Sequence, residues 1–131
     1  MCTYYYYNLD AKTPESAHDY MQIIELIASE FPEADFNEEA AQENARKRLD
    51  AYTRLNAPQE LLDTMSLDKK RVRCTLRDDL DADEHLEFDI VEGATGLMAY
   101  PNPNTTKESC LELVDRLAKL LGYTWERDEY D

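Results

Sequence analysis

Residues 70–92 read Lys70-Arg71-Val72-Arg73-Cys74-Thr75-Leu76-Arg77, then Asp78-Asp79-Leu80-Asp81-Ala82-Asp83-Glu84-His85, then Leu86-Glu87-Phe88-Asp89-Ile90-Val91-Glu92. The outer parts alternate polar and apolar residues with a period of two, the pattern of strands with one buried face. Val72, Cys74 and Leu76 share one face, and Arg71, Arg73, Thr75 and Arg77 the other. Beyond the acidic connection, Leu86, Phe88 and Ile90 point one way, and His85, Glu87, Asp89 and Val91 the other. The stretch therefore predicts a β-hairpin with a cationic first strand and an anionic second. Antiparallel pairing sets the arginines opposite or diagonal to Glu87 and Asp89. Such pairs are worth only about 0.2–1 kcal/mol each. Their expected role is register, because a slip of one residue would bury arginines and expose Phe88.

Downstream, Glu92-Gly93-Ala94-Thr95-Gly96 reads as a turn, and Leu97 to Tyr100 as a third meander strand. Pro101-Asn102-Pro103-Asn104 follows as a rigid loop. Thr105 and Glu108 form a capping box that opens a final helix. Cys110, Leu111, Leu113, Val114, Leu117, Ala118, Leu120 and Leu121 make its buried stripe, and Gly122 its terminator. The tail holds Trp125 among charged residues.

Upstream, residues 2–9 are β-prone and carry Tyr4 to Tyr7 in a row, which predicts a first strand. Thr13 caps a helix with Pro14 at its first position. Its apolar stripe runs through Ala17, Tyr20, Met21, Ile24, Ile27, Ala28 and Phe31, widened by Ile23 and Leu26. His18, Asp19, Gln22, Glu25 and Glu30 lie opposite, and Pro32 ends the helix. Phe36 and Asn37 resemble a hydrophobic staple and cap for a second helix, with a thinner stripe of Ala41, Ala45, Leu49 and Tyr52. A short third helix runs through Leu61, Leu62 and Met65. The expected fold is α+β, one compact domain over residues 1–131, in the order β-α-α-α-β-β-β-α. Its antiparallel sheet joins the N-terminal strand to the three-stranded meander, with helices packed on one face.

Charge carries the functional information. The chain has 29 acidic and 14 basic residues, a net charge of −15. Phosphate backbones and anionic membranes repel such a surface, so neither direct nucleic-acid binding nor a membrane role is expected. Residues 14–36 carry six acids, and residues 78–92 carry eight, with no lysine or arginine in either segment. Uniform solubilisation or adaptation to high salt would spread the acids more evenly. The three cysteines, Cys2, Cys74 and Cys110, are odd in number and widely spaced, which fits free thiols in a reducing compartment. With no signal-peptide pattern and no span-length apolar run, the expectation is a cytoplasmic protein.

Motifs for chemistry are sparse. Asp79, Asp81 and Asp83 have the alternate spacing with which a calcium loop begins. Glu84 then stands where glycine is needed and Ile90 where a bidentate glutamate belongs. His18 and His85 lack companions at metal-ligand spacing. Cys2 could act as an N-terminal nucleophile if Met1 were removed, yet no general-base motif accompanies it. Glycine at only three positions excludes the glycine-rich phosphate loops.

The resulting expectation is a small acidic interaction or inhibitor protein that needs no cofactor and is not an enzyme. It engages a basic, nucleic-acid-handling protein partner, with carboxylates standing in for phosphates. Phage anti-defence inhibitors and toxin-immunity proteins share this charge character, although no motif ties the chain to them. The expected contact residues are Asp19, Glu25, Glu30, Glu33, Asp35, Asp78, Asp79, Asp81, Asp83 and Glu84. The competing expectation is a metal-dependent enzyme or ligand binder built on the Asp79–Asp83 loop with His85 and Cys2.

Overall fold

The computed structural model describes residues 4–63, 67–77, 83–102 and 110–130. Among these the chain forms β1 (Tyr4–Asp10), α1 (Tyr20–Glu30), β2 (Asp35–Asn37), α2 (Glu38–Arg54), α3 (Gln59–Asp63), β3 (Arg71–Arg77), β4 (His85–Val91), β5 (Gly96–Asn102), α4 (Leu111–Leu121) and β6 (Thr124–Tyr130). The strands make one antiparallel sheet in the order β2-β3-β4-β5-β1-β6. The α+β class and the central meander are as the alternation predicts. Two further strands, β2 and β6, lengthen the sheet at its two edges.

The hairpin register follows the hydrophobic pattern. Val72 lies opposite Ile90, Cys74 opposite Phe88 and Leu76 opposite Leu86. All six are buried, together with Tyr7 and Leu9 of β1 and Leu97 and Ala99 of β5. This inner face receives Ile23, Ile27 and Phe31 from the α1 segment and Leu113, Val114, Leu117, Ala118 and Leu121 from α4. Each large aliphatic side chain so buried contributes on the order of 1.5–3 kcal/mol. A slip of the hairpin would forfeit this whole inner layer.

The first strand finds neighbours on both sides. Tyr7 lies opposite Ala99 of β5 and Arg127 of β6. On β6, Trp125 sets its ring edge-on to Tyr7 at 5.7 Å and joins the core, while Tyr123 just before the strand is buried.

Helix α1 starts later than Thr13-Pro14 suggests. Thr13 does form a capping box with Ser16, but it opens only a single 3₁₀ turn, Pro14–Ser16. His18 is then pinned to the end of α4: its backbone N–H donates to the Tyr123 hydroxyl at 3.0 Å, and Nε2–H donates to the Leu121 carbonyl at 2.9 Å. A second capping box, Asp19 with Gln22, begins the long helix. At its other end, Phe31 leaves helical geometry before Pro32, as the clash with a following proline requires.

Asn37 caps α2 as expected, accepting from the Ala40 N–H at 2.9 Å. Ala41 and Ala45 are buried, whereas Tyr52 stays exposed. Helices α1 and α4 cover the inner face. Helix α2 borders the opposite, outer face, where Asn44, Ala45 and Arg48 line a cleft with the outward side chains of β3, β4 and β5.

Helix α4 begins at Leu111, with Cys110 as an uncapped N-cap at φ 61°. The predicted capping residues Thr105 and Glu108 lie outside the described residues, as do Met65 and Cys2. Gly122 ends α4 at φ 72°, a left-handed conformation that favours glycine.

Candidate functional site

Helices α1 and α4 run antiparallel over the sheet, which gives the molecule two distinct ends. At one end, the start of α1 meets the β4–β5 turn, where His18, Asp19 and Tyr20 share a cleft with Glu92 to Thr95. The His18 ring also stacks on Tyr123 at 5.9 Å. His18 is therefore a clasp between α1 and the end of α4, half-buried instead of standing on a polar helix face. Asp19 likewise has a local task. Its carboxylate accepts from the Gln22 N–H at 2.8 Å, and Gln22 Oε1 accepts from the Asp19 N–H at 3.0 Å.

The other end also holds acids from both acid-rich segments. Here α1 finishes and the chain enters β2, placing Asp35 opposite Thr75, two residues short of the end of β3. Glu33 and Asp35 are exposed. Glu30 approaches Arg116 of α4 at 3.9 Å, with both side chains about half exposed. A pair so long and so wet contributes little. The Arg116 guanidinium instead lies over the Phe31 ring, 4.5 Å from its centroid. One helical turn before Arg116 is Glu112, which lines a small cleft with Glu84, Cys110, Leu111 and Leu113. Asp83 and Glu84 are exposed where the chain enters β4. Glu30 thus approaches α4 from α1 and Glu84 approaches its first turn beside Glu112, whereas Asp35 shares the outer face of the sheet with Thr75. Glu25 sits midway along α1, beside Gln22, Leu26 and Ser29. Asp78, Asp79 and Asp81 lie outside the described residues.

The outer face resolves the arginine strand. Arg73 faces Asp89 as expected, its Nε donating to Oδ1 at 2.8 Å and its Nη2 to Oδ2 at 3.2 Å. The hydrogen bond to Asp89, ahead of the charges of Asp89 and Glu87, raises the Arg73 pKa further. Glu87 is diagonal to Arg73 and Arg77 as expected, and it also accepts from Nε2 of His85, two residues away on the same strand, at 3.0 Å. Arg71 lies opposite Val91, and Arg77 opposite His85. The register brings Arg73 directly opposite an acid, and the carboxylate fork forms there.

Cys74 is fully buried, and its thiol is pushed up to about 12, chiefly by burial and then by the nearby Asp35 charge. A nucleophilic role needs the thiolate, so this position is inert. Among the described residues, no group of three His, Cys, Asp or Glu side chains is placed to hold a metal ion. Asp79 and Asp81 of the calcium-like spacing fall outside those residues. Among the described residues, no helix is long and apolar enough to cross a membrane.

Fold and composition together define an acidic α+β domain built on a six-stranded antiparallel sheet. Comparison with protein-family models, curated proteins and solved structures finds no match.

Proposed function

We propose that this chain is an interaction protein of the inhibitor kind, which captures a basic protein partner through the carboxylates at the hairpin-tip end. The observation that supports the reading is that acids distant in sequence meet at α4: Glu30 approaches Arg116, and Glu84 lines a cleft with Glu112 one turn earlier. Clustered carboxylates raise the local negative potential, which steers a cationic surface toward them and accelerates association. A nucleic-acid-handling protein presents such a surface, and the cluster would compete with its phosphate ligands.

The test compares two variants with equal loss of charge. One carries Glu30→Gln, Glu33→Gln, Asp83→Asn and Glu84→Gln; the other carries Glu15→Gln, Glu39→Gln, Glu43→Gln and Asp50→Asn. All eight positions are exposed, so folding should change little. The wild-type chain retains a basic protein at low salt and releases it as salt rises. The first variant loses that protein and the second keeps it. Equal loss from both variants would reduce the effect to net charge and defeat the proposed surface. Competition by an oligonucleotide then tests whether the partner's nucleic-acid site is involved.

A further inference from the structure

A second site lies on the outer face, away from the acidic end. Helix α2 and the outward side chains of β3, β4 and β5 enclose a cleft of about 480 Å³. This lies within the usual range for small-molecule sites, roughly 300–1,000 Å³. We propose that the cleft binds a small organic anion, specifically a carboxylate carried on a flat ring.

Charge makes the first argument. On a chain of net charge −15, the lining holds three guanidinium groups, Arg48, Arg71 and Arg73, against two carboxylates, Glu87 and Asp89. Both carboxylates already have partners, His85 for Glu87 and Arg73 for Asp89. Arg48 makes no salt bridge and no side-chain hydrogen bond among the described residues. It is exposed on α2, one helical turn beyond Asn44, which lines the same wall. Arg48 and Asn44 therefore offer a guanidinium fork and an amide to a ligand oxygen pair. A carboxylate matches that fork bidentately.

The rest of the lining selects the body of the ligand. Tyr100 stacks on Tyr6 with ring centroids 5.8 Å apart and planes 27° from parallel. Beside it, Met98 is 45 % exposed. A tyrosine ring held by a second tyrosine, next to a polarisable thioether, is a firm apolar platform for a planar group. The overall field decides the charge. Strong net negative potential penalises a polyanion more than a monoanion, which favours a carboxylate over a nucleotide phosphate.

The test is an amide-shift titration of the full chain with benzoate, phenylacetate and indole-3-carboxylate. Their uncharged amides, inorganic phosphate and adenosine monophosphate serve as comparison arms. At ligand concentrations up to about 10 mM, weak sites of this kind are detectable. At least one acid is expected to shift the signals of Asn44, Arg48, Arg71, Met98 and Tyr100, and its amide to leave them in place. R48E should weaken binding at least about ten-fold without lowering the melting temperature, because Arg48 is exposed. R48K, which keeps the charge and loses the fork, should fall between the two. Failure of every acid to move these signals, or unchanged binding by R48E, would overturn the site. Tighter binding of either phosphate compound than of the carboxylates would overturn the ligand class.

Discussion

Arg73 and Asp89 face each other across β3 and β4 through two nitrogen–oxygen contacts, at 2.8 and 3.2 Å, with both side chains less than a third exposed. Forked geometry and partial burial separate this pair from the loose Glu30–Arg116 contact at 3.9 Å. Charge-assisted bonds of the first kind exceed the usual surface value. Asp89→Asn and Arg73→Met should each lower unfolding stability by about 1–3 kcal/mol. A double-mutant cycle in urea should return a coupling of about 1 kcal/mol, and additive single effects would show that the fork contributes only local packing.

Asp19 separates stability from recognition. Asp19→Ala removes the acceptor for the Gln22 N–H and should cost about 1 kcal/mol of stability. Partner capture should be unchanged, because Asp19 lies at the end of α1 opposite the hairpin tip. Asp19→Asn should restore most of the stability, since asparagine caps nearly as well. Urea midpoints and the low-salt pull-down read the two effects independently.

Alkaline stability should report the buried thiol. In the unfolded chain Cys74 ionises near the ordinary thiol value, about 8.5. In the folded protein its pKa is pushed up to about 12. The contribution is therefore fully present below the unfolded value and lost progressively as pH rises toward the folded one. The Tyr20 phenol, raised by burial and then by Glu38 and Glu92, acts in the same direction. Between about pH 9 and 11, urea midpoints should fall more steeply for the wild type than for Cys74→Ala, the difference isolating the thiol. A thiol reagent at pH 8 should modify Cys74 only after unfolding.

Trp125 ties β6 to the core, beside the Arg127 guanidinium over the Tyr5 ring and the Asn8 amide that donates to Asp128. Trp125→Ala removes the edge contact to Tyr7 and should destabilise the domain by about 2–4 kcal/mol. Trp125 also donates a side-chain hydrogen bond to Asp115, whose carboxyl is held below its ordinary range first by Lys119. Trp125→Phe should recover most of the packing while losing the N–H. Hydrogen exchange should speed up first along β6 and β1, and uniform acceleration across the sheet would contradict a local edge role.

The hairpin, its register, the α2 cap and the α4 stripe were legible because each has one clearly apolar face. β6 was not, since Glu126, Arg127, Asp128 and Glu129 place charge on both faces of the strand. An edge strand tolerates this pattern, and charge there discourages unwanted pairing. The clue available was Tyr123 and Trp125, two large aromatics two residues apart just after Gly122. β2 is three residues long, too short for periodicity to register. The start of α1 was misplaced because Thr13-Pro14 and Asp19 both carry capping signals, and only the His18–Tyr123 contact decides between them. The approach of Glu30 and of Glu84 to α4 depends on the antiparallel path of α1 and α4 over the sheet. The Arg48 cleft depends on α2 bordering the outer face. Segment composition could locate the acids along the chain but could not bring their segments together.

The place of β1 inside the sheet has a consequence for synthesis. As the chain emerges from the ribosome, the tyrosine-rich segment Tyr4–Asp10 has no strand to pair with until positions 96–99 appear, and its other edge stays open until Thr124–Tyr130 is made. Meanwhile the β3–β4 hairpin can close from neighbouring residues. Strand β1 is thus paired only after β2 to β5, which come later in the sequence, have been made. Non-local pairing of this kind slows folding, and during the delay an aromatic strand remains exposed to other chains. The abundant negative charge elsewhere on the chain would keep those chains apart while it waits.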